Sequence, residues 1–215
     1  MSLHTIFFDL DGTLTDSAPG ILACVRYAMD KMGIPTGEEV TAQNFIGPPL
    51  MRSFARVYGL NEDDCRQAVV YYRERFSAVG LFENSVYPGV PEMLQALKDA
   101  GKRLVLATSK PEIYTVRILE HFDLAKYFDH VSGALMDGAR DEKPEVLRHG
   151  MALCGLSDGE GCAMVGDRAT DISAGHDCGM LGIGVLYGGG DRAELHEADR
   201  LAATVADIAP LLLNL

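Results

Sequence analysis

The sequence has no cluster of lysine or arginine. Nineteen basic residues stand against 31 acidic ones, a formal net charge of −12. A chain that grips a nucleic-acid backbone needs a basic stripe to release counterions, and an anionic membrane surface asks for the same. Neither partner is expected here. Cysteine is sparse and unpatterned. Cys24, Cys65, Cys154, Cys162 and Cys178 show no CxxC spacing and are odd in number. That argues against a zinc site or a disulfide framework and for reduced thiols in an apolar interior. No apolar run approaches the ~20 residues of a membrane-spanning helix; "IAPLLLNL" is short and contains Pro210. The opening "MSLHTIFFDLDG" lacks a basic region, and its apolar run is too short for a secretory signal. The expected compartment is therefore the cytoplasm. No internal repeat or low-complexity tract is visible.

What is present is ample apolar material. With 215 residues, 47% of them hydrophobic, the chain can bury one solid core, as one large domain or a domain with an insert. Short β-rich runs fall at Thr5–Asp9, Arg103–Thr108, His130–Gly133, Ala163–Asp167 and Ile183–Tyr187. They are mostly continuous rather than alternating, as expected of strands covered on both faces of a parallel sheet. Between them lie helical patterns. Val90, Met93, Leu94 and Leu97 keep helical spacing and stop at Gly101, and Val146, Leu147, Met151 and Cys154 do the same before Gly155. Strand and helix in alternation predict a doubly wound α/β fold with a parallel, Rossmann-like sheet.

One interval breaks the rhythm. From Asp16 to Tyr87 no strand is convincing, although a crossover helix needs only about a dozen residues. Three amphipathic helices are predicted instead: Ile21–Met32 with Ser17 as N-cap, Leu50–Tyr58 ended by Gly59, and Cys65–Phe76 capped by Asn61. A shorter helix is predicted near Glu38–Asn44. The expected organisation is an α/β core of residues 1–15 and 84–215 with a helical insert of residues 16–83, hinged near Asp16 and Tyr87.

The stretch "FFDLDGTLTDS" poses the functional question. It ends an apolar strand on two acids, Asp9 and Asp11. Residues two apart on a strand face the same way, so both acids would leave the carboxyl end together, where open parallel sheets bind ligands. Gly12 permits a tight turn and offers an N–H to an anion. Two close carboxylates need a cation or a shared proton between them. Three further segments reach the same edge. "LVLATSKP" brings Thr108 and Ser109, which could equally cap a helix ahead of Pro111; "ARDEKPE" brings Lys143, otherwise a solvated charge; "MVGDRATDIS" brings Asp167 and Asp171, the latter also a plausible helix cap. The glycines of "YGGGDRAE" lack Walker spacing and read as a flexible strand–helix connection.

Taken together, "DLDGT", "ATS", the lysine of "KPE" and "GDRATD" resemble the haloacid dehalogenase superfamily in its phosphatase branch, over nearly the whole chain. The insert resembles that family's C1-type helical cap. The resemblance implies that Asp9 is a nucleophile forming an aspartyl-phosphate and that Asp11 is the general acid and then base. It implies Mg²⁺ held by the side chains of Asp9 and Asp167 and the carbonyl of Asp11, with Asp171 nearby, directly or through water. Thr108 and Lys143 would meet the phosphoryl oxygens, and the N–H groups of Gly12 and Ser109 would cradle them. Arg52 in "FIGPPLMRSF" is the cap candidate for a substrate anion. Arg75 reads as solvated, and Lys110 as either a rim residue or a plain surface lysine. The dehalogenases of the superfamily lack the second acid, so Asp11 favours phosphoryl transfer. The implied substrate is a small phosphorylated metabolite, phosphoglycolate- or nucleotide-like, acted on by a monomer or homodimer. Two alternatives stay open: a sugar phosphomutase of the β-phosphoglucomutase type, and a non-enzymatic phospho-receiver. Against the receiver, the strand near His130–Gly133 ends in no Asp.

Overall fold

The computed structural model describes residues 3–215. β1 (Thr5–Phe8) is buried along its whole length, as the centre of a sheet covered on both faces must be. After β2 (Thr15–Asp16) come helices α1 (Ala18–Lys31), α2 (Ala42–Phe45), α3 (Leu50–Tyr58) and α4 (Glu62–Arg75), the last continuing into a π turn at Phe76–Gly80. β3 (Ser85–Val86) pairs with β2. From there strand and helix alternate: α5 (Val90–Asp99), β4 (Arg103–Pro111), α6 (Glu112–His121), β5 (His130–Ala134), α7 (Lys143–Leu153), β6 (Cys162–Gly166), α8 (Ala169–Asp177), β7 (Leu181–Val185), β8 (Arg200–Ala202) and α9 (Val205–Leu213).

The chain forms two compact units, one running to Thr15 and resuming over Val86–Leu215, the other Asp16–Ser85. In the first, six parallel strands lie in the order β5-β4-β1-β6-β7-β8. The chain steps from β1 outward to β4 and β5, then crosses back to β6 on the other side of β1. That reversal is where open parallel sheets form a ligand crevice, beyond the carboxyl ends of the strands. Phe8 lies opposite Leu106 on one neighbour and Val165 on the other. The three central strands therefore run out nearly in step, and whatever follows them converges. Val146, Leu147 and Met151 of α7 bury in one cluster with Phe7, Val105 and Met164 of the sheet. At roughly 1.5–3 kcal/mol per large buried side chain, this seam anchors α7, and so fixes where its first residue, Lys143, emerges.

The helical unit is built on α1 against α4. Cys24, Val25 and Ala28 are buried from one, Cys65, Ala68 and Tyr72 from the other. Asn61 caps α4 by accepting a hydrogen bond from Asp64 N at 3.0 Å. Ser17 occupies the position before α1, but its hydroxyl makes no capping bond; Asp16 Oδ1 accepts from Ala18 N at 3.1 Å instead. Arg75 is not simply solvated. It pairs with Glu83 through two hydrogen bonds of 2.5 and 2.9 Å and also reaches Cys24 Sγ.

The remaining differences from the sequence reading are local. β8 was not expected, since three residues give no period to detect. The acids lie just past the strand ends: β1 stops at Phe8 and β6 at Gly166. β4 continues to Pro111 with a register shift against β5 after Thr108, so Thr108 and Ser109 belong to the strand and do not cap α6.

Candidate active site

The loop after β1 is a tight wrap around one carbonyl. Leu10 O accepts from the N–H groups of Thr13, Leu14 and Thr15, at 3.3, 2.9 and 3.0 Å. Asp9 remains tied to the sheet, its N–H donating to Val165 O at 2.9 Å. Gly12 has φ +83°, a conformation costly for a residue with a side chain, and a Cβ there would overlap the Asp167 carboxylate. Its N–H donates to Thr15 O at 2.8 Å. The expectation that the Gly12 N–H meets the substrate is therefore corrected: the loop itself takes that donor, and what Gly12 contributes is the turn and the room for Asp167.

Asp9, Asp167 and Asp171 are all buried, and each offers an oxygen within 4.8 Å of the others'. Lys143 joins them. Its ammonium lies 2.6 Å from Asp9 Oδ1 and 2.7 Å from Asp171 Oδ1, and it donates to Ala107 O at 3.0 Å. A cation in the first turn of a helix opposes the helix dipole, so these three oxygens are what hold it there. Burial alone would lower the Lys143 pKa; the Asp171 and Asp9 charges outweigh it and hold the ammonium above the ordinary lysine range. Burial, reinforced by the Asp171 and Asp9 charges, pushes Asp167 up to about 8. Burial also raises Asp171, to about 6, with Lys143 pulling the other way.

Asp167 is held by neighbours. Gly189 N donates to its Oδ2 at 2.7 Å and Thr13 Oγ1 to its Oδ1 at 3.4 Å. Asp171 Oδ2 accepts from Arg168 N at 3.1 Å, so this residue both starts α8 and faces the cluster. Tyr187 donates its hydroxyl to Thr13 O at 2.7 Å. The glycine run after β7 is not a loose connection. A Cβ at Gly188 would strike Gly12 O, and one at Gly190 would strike Asp167 O. Sequence reading missed Gly189 and Tyr187; three successive glycines are the signal of close backbone approach that could have found them.

Thr108 is buried beside these groups in β4, its Oγ1 accepting from Lys110 N at 3.3 Å, which leaves its O–H free to donate. Ser109, next in the strand, is half-buried. Asp11 is met by Lys110, whose ammonium lies 2.9 Å from Asp11 Oδ1. Arg52 is exposed on α3 of the helical unit.

The donors suit a hard divalent cation. Four acids, Asp9, Asp11, Asp167 and Asp171, face two lysines, Lys110 and Lys143. Fully ionised they carry a net −2, which one such ion balances. The raised Asp167 marks where its charge is missing. Carboxylate oxygens without thiolate or imidazole are the ligands Mg²⁺ prefers.

A buried acid–lysine cluster at the reversal of an open parallel sheet defines an enzyme site built to handle anions. The comparisons say of which kind. The haloacid dehalogenase-like hydrolase family matches residues 3–179. A 5′-nucleotidase of Pseudomonas aeruginosa is 41% identical over 209 residues, spanning 96% of this chain and 94% of the relative. A phosphoglycolate phosphatase of Neisseria gonorrhoeae is 31% identical over 211 residues, spanning 92% of this chain and 86% of its own length. The tyrosine-protein kinase PtkA of Mycobacterium tuberculosis is 41% identical over 88% of this chain, which spans 65% of PtkA. Among solved structures, a predicted phosphatase from Clostridium acetobutylicum superposes with a TM-score of 0.94 at 40% identity, covering 100% of both chains. The chain belongs to the haloacid dehalogenase-like hydrolases, with phosphatases among its relatives. PtkA is a reminder that such a fold does not by itself name the phosphoryl acceptor.

Proposed function

We propose that this chain is a magnesium-dependent phosphatase of small phosphomonoesters, working through an aspartyl-phosphate on Asp9. The observation that carries the reading is Lys143, held 2.6 Å from Asp9 inside the buried carboxylate cluster. Mg²⁺ held by Asp9, Asp167 and Asp171 would supply the positive charge that lets a carboxylate and a phosphate dianion meet.

The chain's own residues account for the rest. An Asp9 oxygen attacks phosphorus; the new O–P bond forms as the ester O–P bond breaks. Asp11 gives its proton to the departing oxygen, then removes one from the water that attacks the aspartyl-phosphate, releasing phosphate and restoring Asp9. Lys143 neutralises charge gathering on the phosphoryl oxygens, and the Thr108 hydroxyl donates to one of them. Thr13 and Gly189 hold Asp167 in place for the ion. The helical unit Asp16–Ser85 fits the cap that the family resemblance implies, with Arg52 as its substrate-recognising residue. The relatives' names support a nucleoside monophosphate or phosphoglycolate-like substrate. No helix among the described residues is long and apolar enough to cross a membrane, which agrees with a cytoplasmic enzyme acting on a metabolite.

A screen of phosphoglycolate, nucleoside monophosphates, sugar phosphates and pyrophosphate, with Mg²⁺ and with EDTA, tests the reading. Phosphate release is expected from at least one ester, silenced by EDTA and by Asp9→Asn. Release that persists in Asp9→Asn would overturn the nucleophile assignment.

A further inference from the structure

Lys110 has no part in the mechanism above, yet it is buried at the same edge of the sheet. It follows Thr108 by two residues on β4, so the strand's alternation turns both to one side, and both are buried. The Lys110 and Asp11 side chains are only 6% and 13% exposed, with Nζ 2.9 Å from Asp11 Oδ1. The contact is Coulombic, for Asp11 Oδ1 accepts no aligned hydrogen bond. A buried ammonium is costly unless a counter-charge meets it. A fold that needed only an apolar strand here would place a valine.

The two lysines divide the four acids between them. Lys143 serves Asp9 and Asp171, on the side of the nucleophile. Lys110 serves Asp11, the acid that must face the departing oxygen. We infer that Lys110 is a positioning residue for proton transfer: it holds Asp11 by Oδ1, leaving Oδ2 to carry the proton to the leaving group. As the ester O–P bond breaks, the proton passes from Oδ2 to the departing oxygen and Asp11 becomes a carboxylate, whose new charge the Lys110 ammonium balances. This rests on the phosphatase reading.

The test exploits leaving groups. An alkyl phosphate expels an alkoxide that needs the proton; 2,4-dinitrophenyl phosphate expels a phenolate that does not. General acid catalysis contributes ~10²–10⁴-fold. With Asp11 present but misplaced, Lys110→Met should lose ~10–100-fold in kcat on n-propyl phosphate, and under ~3-fold on the dinitrophenyl ester. Lys110→Arg should restore most of the loss. In an Asp11→Asn background, Lys110→Met should cost nothing further. Lys110→Gln gives the same contrast should the methionine variant fail to fold. Equal losses on both esters, or a full additional loss in the Asp11→Asn background, would overturn the inference and make Lys110 a direct phosphate ligand. A wild-type chain that hydrolyses neither ester would overturn the phosphatase reading itself, a result separable from the other two.

Discussion

Replacing Lys143 with methionine removes the cation between Asp9 and Asp171 while keeping a side chain long enough to fill its channel. Both lost contacts are short, 2.6 and 2.7 Å, and the lysine side chain is only 7% exposed. Removing one partner of a buried ion pair costs about 3–5 kcal/mol, because the charge left behind has no compensation. For a chain of this size each kcal/mol moves the melting temperature by about 2–4 °C. The metal-free variant should therefore melt about 6–20 °C below the metal-free wild type near pH 8. The deficit should shrink toward about pH 5, where protonation relieves the stranded carboxylates. Turnover should fall by about 10²–10³, the usual cost of one charge-stabilising donor. Thermal unfolding by circular dichroism at the two pH values reads the first effect, and phosphate release reads the second. A variant that melts within 2 °C of wild type near pH 8 would refute the claim that Lys143 neutralises these buried acids.

Two further outcomes follow from the same electrostatics and from the family resemblance. Asp167 is raised to about 8 in the folded chain, so between its ordinary 3.8 and that value the unfolded chain binds fewer protons and metal-free stability should fall as pH rises. Mg²⁺ competes with that proton, so the melting temperature gained from Mg²⁺ should grow over the same window, with proton release in calorimetry; a gain independent of pH would contradict it. Arg52→Ala should impair turnover of the natural ester more than that of p-nitrophenyl phosphate, and equal effects on both would remove Arg52 from substrate recognition.

The outline of the core was legible because its strands are continuous apolar runs, and runs such as Ile6–Phe8 allow few other burials. The cluster was legible for a related reason. Asp9, Lys143, Asp167 and Asp171 each follow or begin a regular element, so the topology alone predicts where they emerge. What escaped depends on side-chain reach or on backbone approach. Lys110 looks like any lysine near a strand end until the strand is seen to continue to Pro111 and turn it inward. The Gly12 N–H looked available because nothing in the sequence foretells the return of Thr15 O. Gly188 to Gly190 read as a flexible link because sequence gives no sign that Asp167 and Gly12 occupy the space a side chain would need. Arg75 reads as solvated on a helix wheel, since Glu83, its partner, lies beyond the end of α4.

The most direct measurement is to mix enzyme, Mg²⁺ and substrate, quench in acid within the first turnovers, and map covalent phosphate by mass spectrometry. The account predicts one phosphoryl group on the peptide that carries Asp9 and none in the Asp9→Asn chain. Phosphate found on another residue, or product formed at full rate with no labelled protein at any quench time, would contradict it.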